Sequence, residues 1–193
     1  MTTKTLHRPT KRTELLAILG VAGAAAFAGA VVARRLRSDA RNASAAPVWL
    51  FELSVEIKRP PEEVFAFVAD LRNDVRWGQR VIKEVRQTSE GPLGVGTTFR
   101  QAARFLGLRF EIPIVVTEYE LNRKLGFEAA MGPLQGAARR SVEAIASGTR
   151  LTIATEGHSS GFPKVLWPVF AGFAEREAKT GLVTLKDLLE GGA

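Results

Sequence analysis

The chain has 193 residues, 46% of them hydrophobic and 24% charged, with 18 Gly, 9 Pro and no Cys. That length suits one globular domain plus an appendage, and the lack of cysteine excludes disulfides, thiol chemistry and structural zinc sites of Cys/His type. The net charge of +7 is uneven: residues 1–47 hold eight Lys/Arg against two Asp/Glu, and the remainder nineteen against eighteen. A nucleic-acid footprint would be a basic patch on the folded domain, so this distribution argues against nucleic acid as a partner.

Residues 1–14 form a basic tail. Leu15 to Ala33, "LLAILGVAGAAAFAGAVVA", then runs without a charged or strongly polar residue. Nineteen residues at helical rise span about 28 Å, close to the ~30 Å hydrocarbon core of a bilayer. Basic clusters bracket the run, as at two headgroup layers. A cleaved signal peptide has a shorter apolar region, and Arg34-Arg35-Leu36-Arg37 follows here at once. Two alternatives stand beside an anchor: a buried core helix, and an Ala/Gly-rich segment too weakly apolar to insert. The expectation is a single-pass membrane anchor at 15–33, a basic linker at 34–47, and a domain over 48–193. Lys/Arg counts are four on each side, with the C-terminal cluster nearer the apolar run, which leans the domain to the cytoplasmic side.

In "WLFELSVEI" Phe51, Leu53, Val55 and Ile57 share one parity and Glu52, Ser54, Glu56 and Lys58 the other, a strand with one face buried. Pro60 and Pro61 stop the strand's ladder and suit the first turn of a helix. Glu62 and Glu63 sit where the helix dipole favours negative charge. Val64, Phe67, Val68, Leu71 and Val75 then form an apolar stripe, with a break at Asn73-Asp74 and a short turn carrying Trp77.

Strands follow at about 81–87, 97–105, 108–119, 125–130, 137–146 and 149–157, separated by turn signals. Pro113 marks an edge or bulge within the third of these. The last 30 residues return to helical spacing: Leu166, Val169, Phe170, Phe173, Leu182, Leu185 and Leu189 lie opposite Glu175, Arg176, Lys179 and Lys186. Pro163 fits a helix start, whereas Pro168 requires a later start or a kink. Gly181 weakens this helix by up to about 1 kcal/mol relative to Ala. The pattern is α+β, an antiparallel sheet whose apolar face is covered by a long C-terminal helix.

Over residues 49–190 the chain resembles the START-like or Bet v 1-like (SRPBCC) superfamily, and within it the polyketide cyclase/dehydrase and lipid-transport family. The resemblance rests on "VEIKRPPEEVFAFVADL", Trp77, "GVGTTFR" and "VVTEYELNRKLGFE". In the last of these the family often has prolines where this chain has Leu121-Asn122. The resemblance implies a helix-grip fold, a curved antiparallel sheet around a long C-terminal helix. It also implies a cavity between them for a lipid, polyketide, quinone or other apolar molecule. It transfers no catalytic signature.

Catalytic candidates are few. His158 is the domain's one histidine and falls in "EGHSSG", which reads as an exposed loop; "GPLGVG" reads as a hairpin connection and does not match a phosphate-binding loop. No metal site or cofactor is expected. Gln101 shares parity with Phe99 and Ala103, and Arg140 with Ala138 and Val142, so each must pair internally or with a ligand's polar end. The expected ligand-lining set is Phe51, Leu53, Phe99, Gln101, Phe110, Ile112, Arg140, Ile153, Phe170 and Phe173, whose apolar members serve equally as plain core. Two functions fit: a membrane-tethered binding or carrier protein for an apolar small molecule, or a cyclase/dehydratase using acid–base groups in the same pocket. A third possibility is a partner-binding domain with a vestigial cavity. Oligomeric state and ligand identity are not read from the sequence.

Overall fold

The computed structural model describes residues 49–105, 107–131, 134–159 and 167–191. The tail, the 15–33 segment and the 34–47 linker lie outside the described residues. Among those described, no helix is long and apolar enough to cross a membrane.

The first strand, β1 (Trp49–Ile57), ends where the double proline begins, and α1 (Pro61–Ala69) starts with Pro61 in its first turn and Glu62 and Glu63 beside it. A 3-10 turn (Leu71–Asn73) and a one-turn helix α2 (Asp74–Trp77) follow, so the predicted break after the first helix is present. Asp70 caps the 3-10 turn by accepting a hydrogen bond from the Arg72 amide at 3.0 Å. Six strands then run as a meander: β2 (Ile82–Gln87), β3 (Thr98–Phe105), β4 (Leu108–Glu120), β5 (Lys124–Met131), β6 (Leu134–Ile145) and β7 (Gly148–Ser159). The last described element is α3 (Trp167–Glu190), which carries Pro168 in its first described turn; Pro163 lies outside the described residues.

The seven strands form one antiparallel sheet in the order β1-β7-β6-β5-β4-β3-β2. Pro113 lies in an interior strand, but the register with β5 begins only at Ile114↔Ala129, so Pro113 sits where β4 pairs with β3 alone. The local edge tolerates the missing N–H. A register shift between Val116 and Glu118 rotates the last part of β4 and brings Tyr119 opposite Leu125 on the inner face. Asn122 at the β4–β5 turn has φ 58°, a left-handed conformation open to Asn.

His158 is a correction to the sequence reading: it lies in β7, paired with Gln135 and half-buried, because β7 runs on to Ser159. Its parity matches that of Ala154 and Glu156, which places it on the outer face.

Burial divides the inner face into two ends. At the Ile57 end, Ile57, Val64, Phe65, Val68, Val142, Leu151, Leu182 and Leu185 form a filled core, continued towards β3–β5 by Leu71, Phe99, Ile114, Val116 and Leu125. The C-terminal part of α3 is tied down here: Arg59 Nε donates to the Leu189 carbonyl at 2.7 Å, and the Lys58 amide to Glu190 at 2.8 Å. Helix α3 packs along β1 and against α2. Among its described side chains the buried positions, Gly181, Leu182 and Leu185, belong to the C-terminal half, whereas Ala171 to Thr180 are half-buried or exposed.

Candidate functional site: the inner face of the sheet

Towards the Trp49 end, the inner face remains apolar and its larger side chains are only half-buried. Phe51, Leu53, Phe110, Ile112, Phe127, Ala129 and Ala138 are all half-buried although register places them on the same face as the core. One row across the sheet reads Phe51, Thr155, Ala138, Phe127; the next towards the end reads Trp49, Gly157, Gly136, Ala129. Gly136, Ala138, Ala129 and Gly157 project little or nothing above the sheet. Small residues in the middle of the sheet add little side-chain volume over this part of the inner face, although Ile112, Phe127 and Ala129 pack against the neighbouring core.

At the boundary between the buried and half-buried parts of the inner face lies a polar cluster that strand parity alone could only half anticipate. Arg140 on β6 is 4% exposed and Asp74 on α2 is 3% exposed. Arg140 Nη1 donates to Asp74 Oδ1 at 2.9 Å and to the Val68 carbonyl at 2.7 Å, and Nη2 donates to Asp74 Oδ2 at 2.6 Å. The guanidinium also lies over the Trp77 ring, 5.1 Å from its centroid, and 5.2 Å from that of Phe127. Burial pushes the Asp74 carboxyl up from its ordinary value, against the opposing pull of Arg140. The Trp77 indole N–H lies near enough to Asp74 to help hold the carboxyl down, but forms no well-aligned hydrogen bond.

The sequence-derived set falls into two groups. Phe51, Leu53, Ile153 and Arg140 come together across β1, β7 and β6, with Leu53 opposite Ile153 and Ile153 opposite Arg140. Phe99, Gln101, Phe110 and Ile112 line β3 and β4, with Gln101 opposite Ile112. Phe99 and Ile153 are buried within the core clusters, and Phe173 is half-buried on α3. The side chain of Phe170 lies outside the described set. Sequence reasoning passed over Ala138, Gly136, Phe127, Asp74 and Trp77. For the small residues the signal was present, since Gly136 and Ala138 alternate on an inner parity. For Asp74, sixty-six residues from Arg140, no local signal existed.

A hollow of about 290 Å³ opens beside the 3-10 turn, lined by Asp70, Arg72, Gln87, Gly91, Pro92, Leu93 and Phe99. Arg72 Nε and Nη2 bind the two Asp70 oxygens at 2.8 Å each on its rim, and of the expected lining residues only Phe99 touches it. Its ion-paired rim makes it a poor match for an apolar ligand. Among the described residues no group of three His, Asp or Glu side chains is placed to hold a metal ion.

The family described as polyketide cyclase / dehydrase and lipid transport matches residues 48–190. The chain belongs to this family. Its membership makes it a protein of the hydrophobic-ligand-binding or polyketide-cyclase type, with the helix-grip fold. Solved structures agree on the fold at low identity. A START superfamily protein from Mycobacterium smegmatis superposes with TM-score 0.63 at 15% identity, covering 75% of this chain and 99% of that one. The Zhui aromatase/cyclase from Streptomyces sp. R1128 gives 0.62 at 12% identity, covering 73% and 93%. Ara h 8.0201 gives 0.54 at 17% identity, covering 70% and 96%. No curated relative matches the chain.

Proposed function

We propose that this family member is a membrane-tethered binding or carrier protein for an apolar small molecule, held in the recess between the inner face of the sheet and the N-terminal half of α3. The observation that carries the reading is the half-buried apolar row Phe51–Ala138–Phe127 with its small-residue floor. Apolar surface left uncovered there is worth roughly 25 cal/mol per Å² to whatever covers it. A ligand burying on the order of 200 Å² of that wall would therefore gain about 5 kcal/mol before its ordering costs. Phe51, Leu53, Gln101, Phe110, Ile112 and Phe173 would contact it directly, while Phe99, Ile153 and Arg140 would form the layer beneath, and Phe170 belongs to the same helical turn as Phe173. The tether rests on the length of the 15–33 apolar run and the basic residues that flank it. It would hold the recess beside a bilayer in which apolar ligands concentrate.

The cyclase/dehydratase reading is favoured by one observation, a buried carboxylate and guanidinium at the recess boundary. Against it, both Asp74 oxygens and both Arg140 Nη atoms are already engaged with each other or with Val68. An acid–base catalyst needs a free site for the substrate's proton.

Native mass spectrometry of the full chain released from its host's membranes tests the proposal. The expected result is recovery in the membrane fraction with a stoichiometric apolar molecule bound. Recovery in the soluble fraction would remove the tether, and a consistently empty domain would remove the carrier. Turnover of the recovered molecule would favour the enzyme.

A further inference from the structure

Buried hydrogen-bond donors are ordinarily satisfied by protein, water or ligand. Among the described residues, three buried side-chain nitrogens have no partner: Arg140 Nε, Trp77 Nε1 and His158 Nδ1. His158 lies on the outer face of β7 and stands apart. The other two belong to side chains in contact, since the Arg140 guanidinium rests over the Trp77 ring. Both are N–H donors. Of the five guanidinium N–H groups three are used, two on Nη1 binding Asp74 and the Val68 carbonyl and one on Nη2 binding Asp74, which leaves Nε–H and one Nη2–H. On β6, Arg140 is one inner-face step from half-buried Ala138, and its guanidinium reaches the half-buried Phe127 of the same recess row.

We propose that Arg140 Nε–H and Trp77 Nε1–H form the polar anchor of the recess and take a neutral carbonyl-type oxygen, that of a ketone, quinone or ester, on an otherwise apolar ligand. The inference rests on reading the recess as the ligand site. A ligand whose only polar atom is a donor is less well served, because both unpartnered groups are themselves donors and the nearest acceptor, Asp74, already takes a bond from Arg140 on each oxygen. A carboxylate is disfavoured because Asp74 and Arg140 already sum to zero charge. A third charge would be buried without compensation, at a cost exceeding that of the hydrogen bonds it makes. The raised Asp74 carboxyl reports the same penalty on negative charge in these surroundings. The anchor is thus built to read an acceptor and to reject an anion. Trp77 is in this role a positioning and specificity residue; nothing in the cluster is assigned a chemical step.

Three probes of one shape separate these alternatives by calorimetric titration of the full chain: 2-methyl-1,4-naphthoquinone, 2-methylnaphthalene and 2-naphthoate. The quinone is expected to bind about tenfold tighter than the hydrocarbon, as a hydrogen bond to a buried donor provides, and the carboxylate weaker than both. In Trp77→Phe, which keeps a ring beside Arg140 but has no N–H, the quinone's advantage should shrink about five- to tenfold while the hydrocarbon's affinity stays within about twofold. A measurement on the unmutated chain stands beside it: the Trp77 indole N–H resonance, one of three tryptophan signals, should move downfield with the quinone and not with the hydrocarbon. Equal binding of quinone and hydrocarbon, an advantage that survives in Trp77→Phe with an unmoved indole resonance, or a carboxylate that binds as tightly as the quinone, would each overturn the anchor. Binding by none of the three would instead overturn the recess as an apolar-ligand site, and the anchor with it.

Discussion

Asp74 and Arg140 carry opposite charges into one core, and neither can be removed alone without stranding the other. Breaking a buried pair leaves an uncompensated charge and costs about 3–5 kcal/mol. Asp74→Asn should lower the stability of the domain by that amount, read as a shift in urea midpoint at constant slope, and adding Arg140→Met should restore much of it. A loss below about 1 kcal/mol in the single variant would mean that solvent reaches the pair. Asp70 behaves differently because it sits at the surface. The hydrogen bonds from Arg72 hold its carboxyl below the ordinary value, against a smaller opposing push from burial. A folded-state value lowered below the unfolded one stabilises the fold above the ordinary aspartate value near 3.8, and that contribution is lost as the pH falls from there through the lowered folded value. Between about pH 6 and pH 3 the urea midpoint of the unmutated chain should therefore fall more steeply than that of Asp70→Asn. The difference should be small, since Arg72 is 63% exposed on its side chain. Parallel pH curves would show that the pair contributes nothing.

Helix α3 illustrates how a residue unfavourable to its own element can be required by the next one. By propensity alone, Gly181→Ala should stabilise the helix by up to about 1 kcal/mol. In the structure a Cβ at Gly181 would lie 2.9 Å from Trp77 Cε3 and 3.2 Å from Cζ3. That ring is held beneath by Arg140 and cannot swing away as a surface side chain would. Gly181→Ala should accordingly destabilise the domain by about 1–3 kcal/mol, the usual cost of overpacking. Stabilisation on thermal melting would mean that Trp77 has room to move. The turn between β6 and β7 follows similar logic: Gly148 has φ 134°, and a Cβ there would sit 2.3 Å from the Ile57 carbonyl. The sequence marked it as a turn residue, but only the return of β1 to pair with β7 adds the steric demand.

At the scale of the molecule, one end of the cup is packed solid and the other is lined by small residues and half-covered aromatics. The two regions should respond oppositely to added volume. Ala138→Leu should leave stability within about 1 kcal/mol, where the same change in a filled core would cost about 1–3 kcal/mol, and it should weaken binding of an apolar probe at least tenfold. Full destabilisation with no change in probe binding would mean that the row over Ala138 is packed. The outer face needs no such space and is a solvated network of charges, in which Glu118 accepts from Arg139 at 2.9 Å and from Lys124 at 3.2 Å.

The elements themselves were legible because each rests on local physics. Parity fixes which face of a strand is buried, and the double proline with Glu62 and Glu63 fixes where the first helix starts. The inner parity of Arg140 and Gln101 was readable for the same reason. Partners were not, because Asp74, Trp77 and Val68 reach Arg140 only when α1 and α2 fold across β6. Nor did the sequence separate core from recess: Phe51 and Ile57 share a parity, yet one is half-buried and the other 1% exposed. The His158 reading failed because two residues of strand were hidden by a Gly- and Ser-rich stretch. The sequence by itself thus determined the order of elements, the buried face of each strand and the family. Only the tertiary structure decided which part of that face is filled, and which buried donors are left without an acceptor. Both depend on how far α3 and α2 approach a sheet whose curvature no local pattern encodes.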